Sequence, residues 1–82
     1  MKQFLIQFAM RMILKWILES GYSVSATLET ARQARELGDN MFSRKGAVYR
    51  HIKQSVPSDV PVFLMNLATE LAITLDEMKT KA

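Results

Sequence analysis

The chain lacks cysteine altogether, and its 82 residues include one histidine, three glycines and two prolines. Without cysteine there are no disulfides and no thiolate metal sites, which are common means of stabilising a small domain. The glycines are isolated at positions 21, 38 and 46, so the chain has no glycine-rich phosphate-binding loop. A chain of this length buries only about 60 to 65% of the surface that its unfolded form exposes. Oligomerisation therefore remains as the route to a stable core.

Groups that carry catalysis or bind metals are equally scarce. The single histidine, His51, has no His, Asp or Glu within seven positions, whereas a metal site on a helix needs such residues three or four apart. The eight carboxylates are scattered over the chain and do not form a cluster. We therefore predict that the protein is not an enzyme and that it binds no cofactor and no metal.

Long uninterrupted apolar runs are absent too. The most apolar segment, Phe4 to Leu18 (FLIQFAMRMILKWIL), is interrupted by Gln7, Arg11 and Lys15. Two cations inside this run are not tolerated in the core of a secretory signal. Fifteen residues of helix also reach only about 22 Å, against a hydrocarbon thickness of about 30 Å. The sequence thus predicts neither a signal peptide nor a spanning helix, and we expect the protein in the cytoplasm.

What the chain does have is helical periodicity. No segment alternates with period two, Gly21 and Gly38 stand where helices would stop, and both prolines fall within Ser55 to Pro61. We predict an all-α fold made of a small bundle of about four helices in one domain, 1–82. The predicted helices lie near residues 2–20, 25–37, 42–54 and 60–80.

The two terminal helices are the most apolar. The first is apolar nearly all round, and the last spaces Leu64, Ala68, Leu71, Leu75 and Met78 as a heptad seam. We predict that these two helices form the main hydrophobic layer and that homodimerisation completes the bundle. The predicted interface residues are Phe4, Phe8, Met12, Ile13, Trp16, Ile17, Leu64, Leu71 and Leu75.

Basic and aromatic residues cluster only in the third helix, within Arg44 to Lys53 (RKGAVYRHIK). Gly46 inside this helix costs about 1 kcal/mol relative to alanine, so tertiary contacts or a partner must hold the helix. We predict that the second and third helices present the working surface. The predicted contacts with a partner or a nucleic acid are Arg32, Arg35, Arg44, Lys45, Tyr49, Arg50 and Lys53.

The function predicted from these features is a non-enzymatic regulator or adaptor that acts as a homo-oligomer through protein contacts. Small chains of this kind are frequent in phages and other mobile elements, which is an association only. One alternative is a DNA-binding regulator that uses segment 27–54 as a helix-turn-helix, although Asp39 and Arg44 occupy positions where that motif is apolar. A second alternative is a regulator at the membrane surface that uses helix 2–20. The net charge of +3 permits an acidic partner without requiring one.

Overall fold

Four helices make up the computed structural model, which describes residues 2–81 and the side chains of residues 3–80. They are α1 (Lys2–Ser20), α2 (Val24–Glu36), α3 (Met41–Ser55) and α4 (Val62–Lys81). No strand occurs within residues 2–81. The prediction of an all-α bundle of four helices is confirmed, and homodimerisation stays a prediction.

The helix ends follow from local residues. Gly21 and Gly38 have φ angles of 69° and 82°, in the left-handed region where glycine carries no penalty. The side chains of Ser23 and Asn40 cap α2 and α3, and each accepts a hydrogen bond from a backbone amide three residues later, at 3.1 and 2.8 Å. The last helix begins two residues later than predicted, because the carbonyl of Pro61 accepts its first amide hydrogen bonds.

The hydrophobic core lies between α2, α3 and α4. Helix α4 contacts all three other helices, and Ala31, Val48 and Ile52 are completely buried. The prediction that the first and last helices form the main hydrophobic layer is therefore wrong. Small side chains on α2, the buried Ala31 and Ala34, let α3 and α4 approach closely. The core cluster consists of Trp16, Tyr22, Ala31, Val48, Ile52, Val56, Leu64, Met65, Ala68, Ala72 and Ile73.

Helix α1 is attached to this core by few residues. Among residues 3–20 of α1, only Ala9 and Trp16 are buried, and Met12 and Ile13 are half-buried. The ring of Trp16 packs edge-to-face on Tyr22, with centroids 5.8 Å apart and an interplanar angle of 84°. Edge-to-face contacts of this kind stabilise by about 1 kcal/mol beyond the area they bury. This aromatic pair anchors α1 to the rest of the chain.

The anchor is completed by a buried hydrogen bond. The hydroxyls of Tyr22 and Thr27 lie 2.6 Å apart, and Thr27 also donates to the carbonyl of Ser23 at 3.1 Å. Burial raises the pKa of Tyr22 above its ordinary value. The loop between α1 and α2 is thus tied to the first turn of α2 by both backbone and side chains.

Candidate protein-interaction surfaces

The side chain of Arg32 is paired with two carboxylates of its own helix, α2. It forms ion pairs with Glu29, three residues earlier, and with Glu36, four residues later, the latter at 2.6 Å. Its hydrogen bond lowers the pKa of Glu29. All three side chains are well exposed, so the pairs support α2 only weakly. A ligand anion would have to compete with two carboxylates for this guanidinium.

Arg35 has a structural role that the sequence did not reveal. It donates from Nε and Nη2 to the two carboxylate oxygens of Asp76, at 2.8 and 3.4 Å. Asp76 is 5% exposed, and this hydrogen bond raises the pKa of Arg35. The pair joins α2 to α4 and is a partly buried clamp, in which Asp76 is enclosed and the Arg35 side chain is 29% exposed. The two residues are 41 positions apart, which is why no local pattern indicated the pairing.

Two further candidates are paired with carboxylates of α4. Arg44 approaches Glu77 at 3.6 Å, and Lys45 approaches Glu70 at 2.7 Å. The side chain of Arg44 is only 15% exposed, and its Nε is buried without a hydrogen-bond partner among the described residues. The two carboxylates lie against the basic face that a nucleic acid would need, and they reduce its positive potential.

The predicted contact residues therefore do not form one surface. Tyr49 is half-buried and packs against the core. Arg50 and Lys53 are exposed, and neither takes part in the ion pairs found among residues 3–80. Of the six candidate cations on α2 and α3, these two alone form no ion pair with another described residue.

Helix α1 exposes most of its apolar side chains. Their exposed fractions run from 37% at Ile17 to 78% at Leu18. Trp16 and Leu64, which were predicted to contact a second copy, lie in the core of a single chain at 2% and 5% exposure and therefore offer a second copy little surface. The eight exposed apolar residues of α1 are Phe4, Leu5, Ile6, Phe8, Met10, Leu14, Ile17 and Leu18.

One side of α1 forms a concave surface with α4, which we call the α1–α4 groove. Its volume is about 430 Å³, and Arg11 is the one charged residue in its lining. Four predicted interface residues, Ile13, Ile17, Leu71 and Leu75, line it, whereas Phe4, Phe8 and Met12 lie elsewhere on α1. The lining residues are Met10, Arg11, Ile13, Leu14, Ile17, Val24, Leu71 and Leu75.

A second concave surface, the α3–α4 groove, lies between α3 and α4. Its volume is about 330 Å³, and its lining includes Phe42, which is 87% exposed. Phe42 was missed by the sequence analysis, although its spacing of seven from Tyr49 places both rings on one face of α3. The lining residues are Phe42, Lys45, Gly46, Tyr49, Asn66, Thr69 and Glu70.

Comparisons with known proteins add no family. No protein-family model, no curated protein and no solved structure matches the chain. Within residues 2–81 no group of three or more His, Cys, Asp or Glu side chains is placed to hold a metal ion. In the same part of the chain, each helix is too short or too polar to cross a membrane. A further concave surface of about 450 Å³ lies between α2 and α4, but its cations Arg32 and Arg35 are already paired with Glu29, Glu36 and Asp76.

Proposed function

We propose that the protein is a non-enzymatic cytoplasmic regulator or adaptor that acts through protein contacts as a homo-oligomer. The observation that carries this proposal is the exposure of eight large apolar side chains on one helix of a small chain. Monomeric proteins rarely expose contiguous apolar patches of more than a few hundred Å². A second copy of the chain, seated in the α1–α4 groove, is the proposed cover.

The amount of exposed surface fits a second copy. The eight side chains present roughly 800 Å² of accessible surface, since a fully exposed aromatic side chain offers about 150–250 Å² and an aliphatic one somewhat less. A standard interface buries about 800 Å² on each partner. Three of the eight, Met10, Leu14 and Ile17, line the α1–α4 groove together with Leu71 and Leu75 of α4, so a second copy seated there would cover part of this surface.

The shape of the surface favours a helix as the occupant. Met10, Leu14 and Ile17 follow the spacing of four and three that forms a ridge along α1, and the groove lies directly beside this ridge. In a two-fold dimer the ridge of one copy enters the groove of the other, and the same contact is made twice. The surface is therefore suited to pair with itself.

A membrane surface fits less well. Gln7, Arg11 and Lys15 are exposed and recur every fourth residue, on the side of α1 opposite to buried Ala9 and Trp16. An interfacial helix keeps such residues on the face that points to water and inserts the opposite face. Here the opposite face is packed on the protein. A lipid surface would have to cover both cations, whereas a helical ridge in the α1–α4 groove meets Arg11 alone, the one charged residue of its lining.

The DNA-binding alternative receives less support from the charges. Helices α2 and α3 are present and are joined by residues 37–40, as a helix-turn-helix requires. Four of the six predicted cationic contacts, however, are paired with carboxylates of this chain. Only Arg50 and Lys53 of the six are exposed and outside these ion pairs, and two cations supply little positive charge for binding a duplex.

The test is the oligomeric state measured by sedimentation equilibrium at low micromolar concentration. We expect an oligomer for the unaltered chain and a folded monomer for Leu14→Glu, because the carboxylate would be buried in the apolar groove. Leu37→Glu makes the same change at a residue that is 81% exposed and lies outside both grooves, and it should leave the oligomer intact.

A folded monomer for the unaltered chain would overturn the proposal. Two further measurements on the same samples address the alternatives. Sedimentation with anionic liposomes tests the membrane surface, and duplex DNA binding that falls steeply with salt tests a DNA-binding regulator.

A further inference from the structure

Neither the backbone conformation nor the packing within this chain requires glycine at position 46. It lies in the interior of α3, and glycine is among the residues least favourable to a helix. Its φ angle is not positive, so the backbone conformation does not require glycine. A Cβ atom built at this position meets nothing within 4 Å, so close packing within the chain does not require glycine either. What glycine does here is leave the surface of α3 open.

The open surface over Gly46 is the floor of the α3–α4 groove. Phe42 lies one turn before Gly46 and Tyr49 one turn after it, on the same face of α3. Asn66 and Glu70 belong to the wall that α4 supplies. An apolar side chain placed over Gly46 would thus have an aromatic ring on each side.

Exposed aromatic surface continues beyond the groove. Phe63 is 62% exposed and shares a face of α4 with Asn66 and Glu70, which follow it by three and seven residues. Aromatic side chains are enriched at the centres of protein interfaces, where they carry much of the binding energy. Phe42, at 87% exposure, and Phe63 are therefore the anchors that a partner would cover first.

The charges around the groove indicate the polarity of the occupant. Lys53 follows Tyr49 by one turn and continues the stripe of Phe42 and Gly46, with exposed Arg50 beside it. Neither cation takes part in the ion pairs of residues 3–80, whereas Lys45 is bound to Glu70 at 2.7 Å. Carboxylates on an occupant would find two available cations at this end of the groove.

A nucleic acid is less suited to the same place. Glu70 lines the groove with its side chain 59% exposed, and it would repel a phosphate backbone that tracked across Phe42 and Tyr49. A protein segment carries its charges at chosen positions and can avoid Glu70 while reaching Arg50 and Lys53. The charge pattern thus favours a protein over a single-stranded nucleic acid.

We infer that the α3–α4 groove binds an acidic amphipathic helix of a partner protein, which inserts an apolar side chain over Gly46 and directs carboxylates to Arg50 and Lys53. This inference rests on the proposed function, in which the protein acts through protein contacts, and it identifies the surface for the outside partner. The surface is distinct from the α1–α4 groove, since the two linings share no residue.

The experiment uses a fluorescent synthetic helix built from Leu, Ala and Glu, with its leucines on one face, and a matched peptide in which Lys replaces Glu. Binding to the full chain is measured by fluorescence anisotropy. We expect the Glu peptide to bind and the Lys peptide to bind at least about tenfold more weakly, because the cations beside the groove would repel it. Charge reversal by Arg50→Glu with Lys53→Glu should invert this preference.

Gly46→Ala is the decisive variant, since the added methyl group fills the floor of the groove. It should raise the melting temperature of the protein, because alanine favours the helix and meets nothing within 4 Å. It should also weaken binding of the Glu peptide by roughly tenfold. A loss of binding in a more stable protein cannot be explained by unfolding. Ser43→Ala on the same helix, outside the groove lining, is the matched control and should bind as the unaltered chain does.

Three results would overturn the inference. These are peptide affinity unchanged in Gly46→Ala, equal affinity for the two peptides, and tight binding of a thymidine oligonucleotide that Gly46→Ala removes. Leu14→Glu separates this test from that of the proposed function. It should dissolve the oligomer and leave peptide affinity within about twofold, because Leu14 lies outside the α3–α4 groove.

Discussion

Helix α1 buries less of its surface than its apolar composition suggests, and helix α2 buries more than its polar composition suggests. The segment of α1 is the most apolar in the chain, yet within residues 3–20 it buries only Ala9 and Trp16. Helix α2 is the most polar, yet Thr27, Ala31 and Ala34 are buried and it shares the core with α3 and α4. Small side chains bring helices close enough to exclude water, whereas large apolar ones must find a partner surface of matching shape. Apolar content alone is therefore a poor guide to which helix forms the core.

The largest effect on stability is expected when the large buried side chain of α1, Trp16, is removed. Trp16→Ala should lower the free energy of unfolding by about 3–5 kcal/mol, because it deletes a buried aromatic ring and leaves a cavity. Urea denaturation followed by circular dichroism measures this change. Leu18→Ala, two residues later and 78% exposed, is the matched control and should change stability by less than about 0.5 kcal/mol. Equal effects of the two changes would contradict the account of the anchor.

Helix α2 is held to α4 by the ion pair of Arg35 with Asp76, and the second largest effect is expected there. Asp76→Asn should lower the free energy of unfolding by about 2 kcal/mol, because it takes the charge from a buried carboxylate that binds Arg35 in two places. Glu36→Gln removes an exposed ion pair of Arg32 and should cost less than about 0.5 kcal/mol. Thermal unfolding of both variants distinguishes a partly buried clamp from a surface pair. A cost for Asp76→Asn as small as that for Glu36→Gln would show that the clamp contributes nothing.

The smallest effect is expected at alkaline pH. Because burial raises the pKa of Tyr22, the folded protein holds this proton more tightly than the unfolded chain, whose tyrosine titrates near 10. The corresponding stability is present in full below about pH 10 and is lost as the pH rises through the pKa of the folded state. Tyr22→Phe keeps the ring on Trp16 and removes the ionisation. The urea midpoint should decrease between about pH 8 and pH 11, and this decrease should be smaller in Tyr22→Phe than in the unaltered chain.

Local signals explain how much of the fold could be predicted. Helices end at residues whose effect is local, namely Gly21, Gly38 and the proline segment. The number of helices and their ends therefore followed closely from the sequence. The packing did not follow, because it depends on which faces meet. The pairing of Arg35 with Asp76 joins residues 41 positions apart, and no periodicity within either helix indicates it.

The candidate surfaces were predictable only in part. Ile13, Ile17, Leu71 and Leu75 were recognised as apolar residues in need of cover, and they do line one groove. Trp16 was assigned to the same set because large apolar residues on one helical face look alike in a sequence. Phe42 was overlooked because a lone aromatic residue near a helix start is ordinary until the space around it is known.

The attachment of α1 has a consequence for how the molecule opens. Within residues 3–20 it buries only Ala9 and Trp16, whereas Val48 and Ile52 of α3 are fully enclosed. The free energy needed to expose a helix locally grows with the apolar surface that it buries. We therefore expect α1 to open at the Gly21 turn at a lower free energy than the other three helices. Hydrogen exchange measures this difference, and the backbone amides of α1 should exchange faster than those of α3.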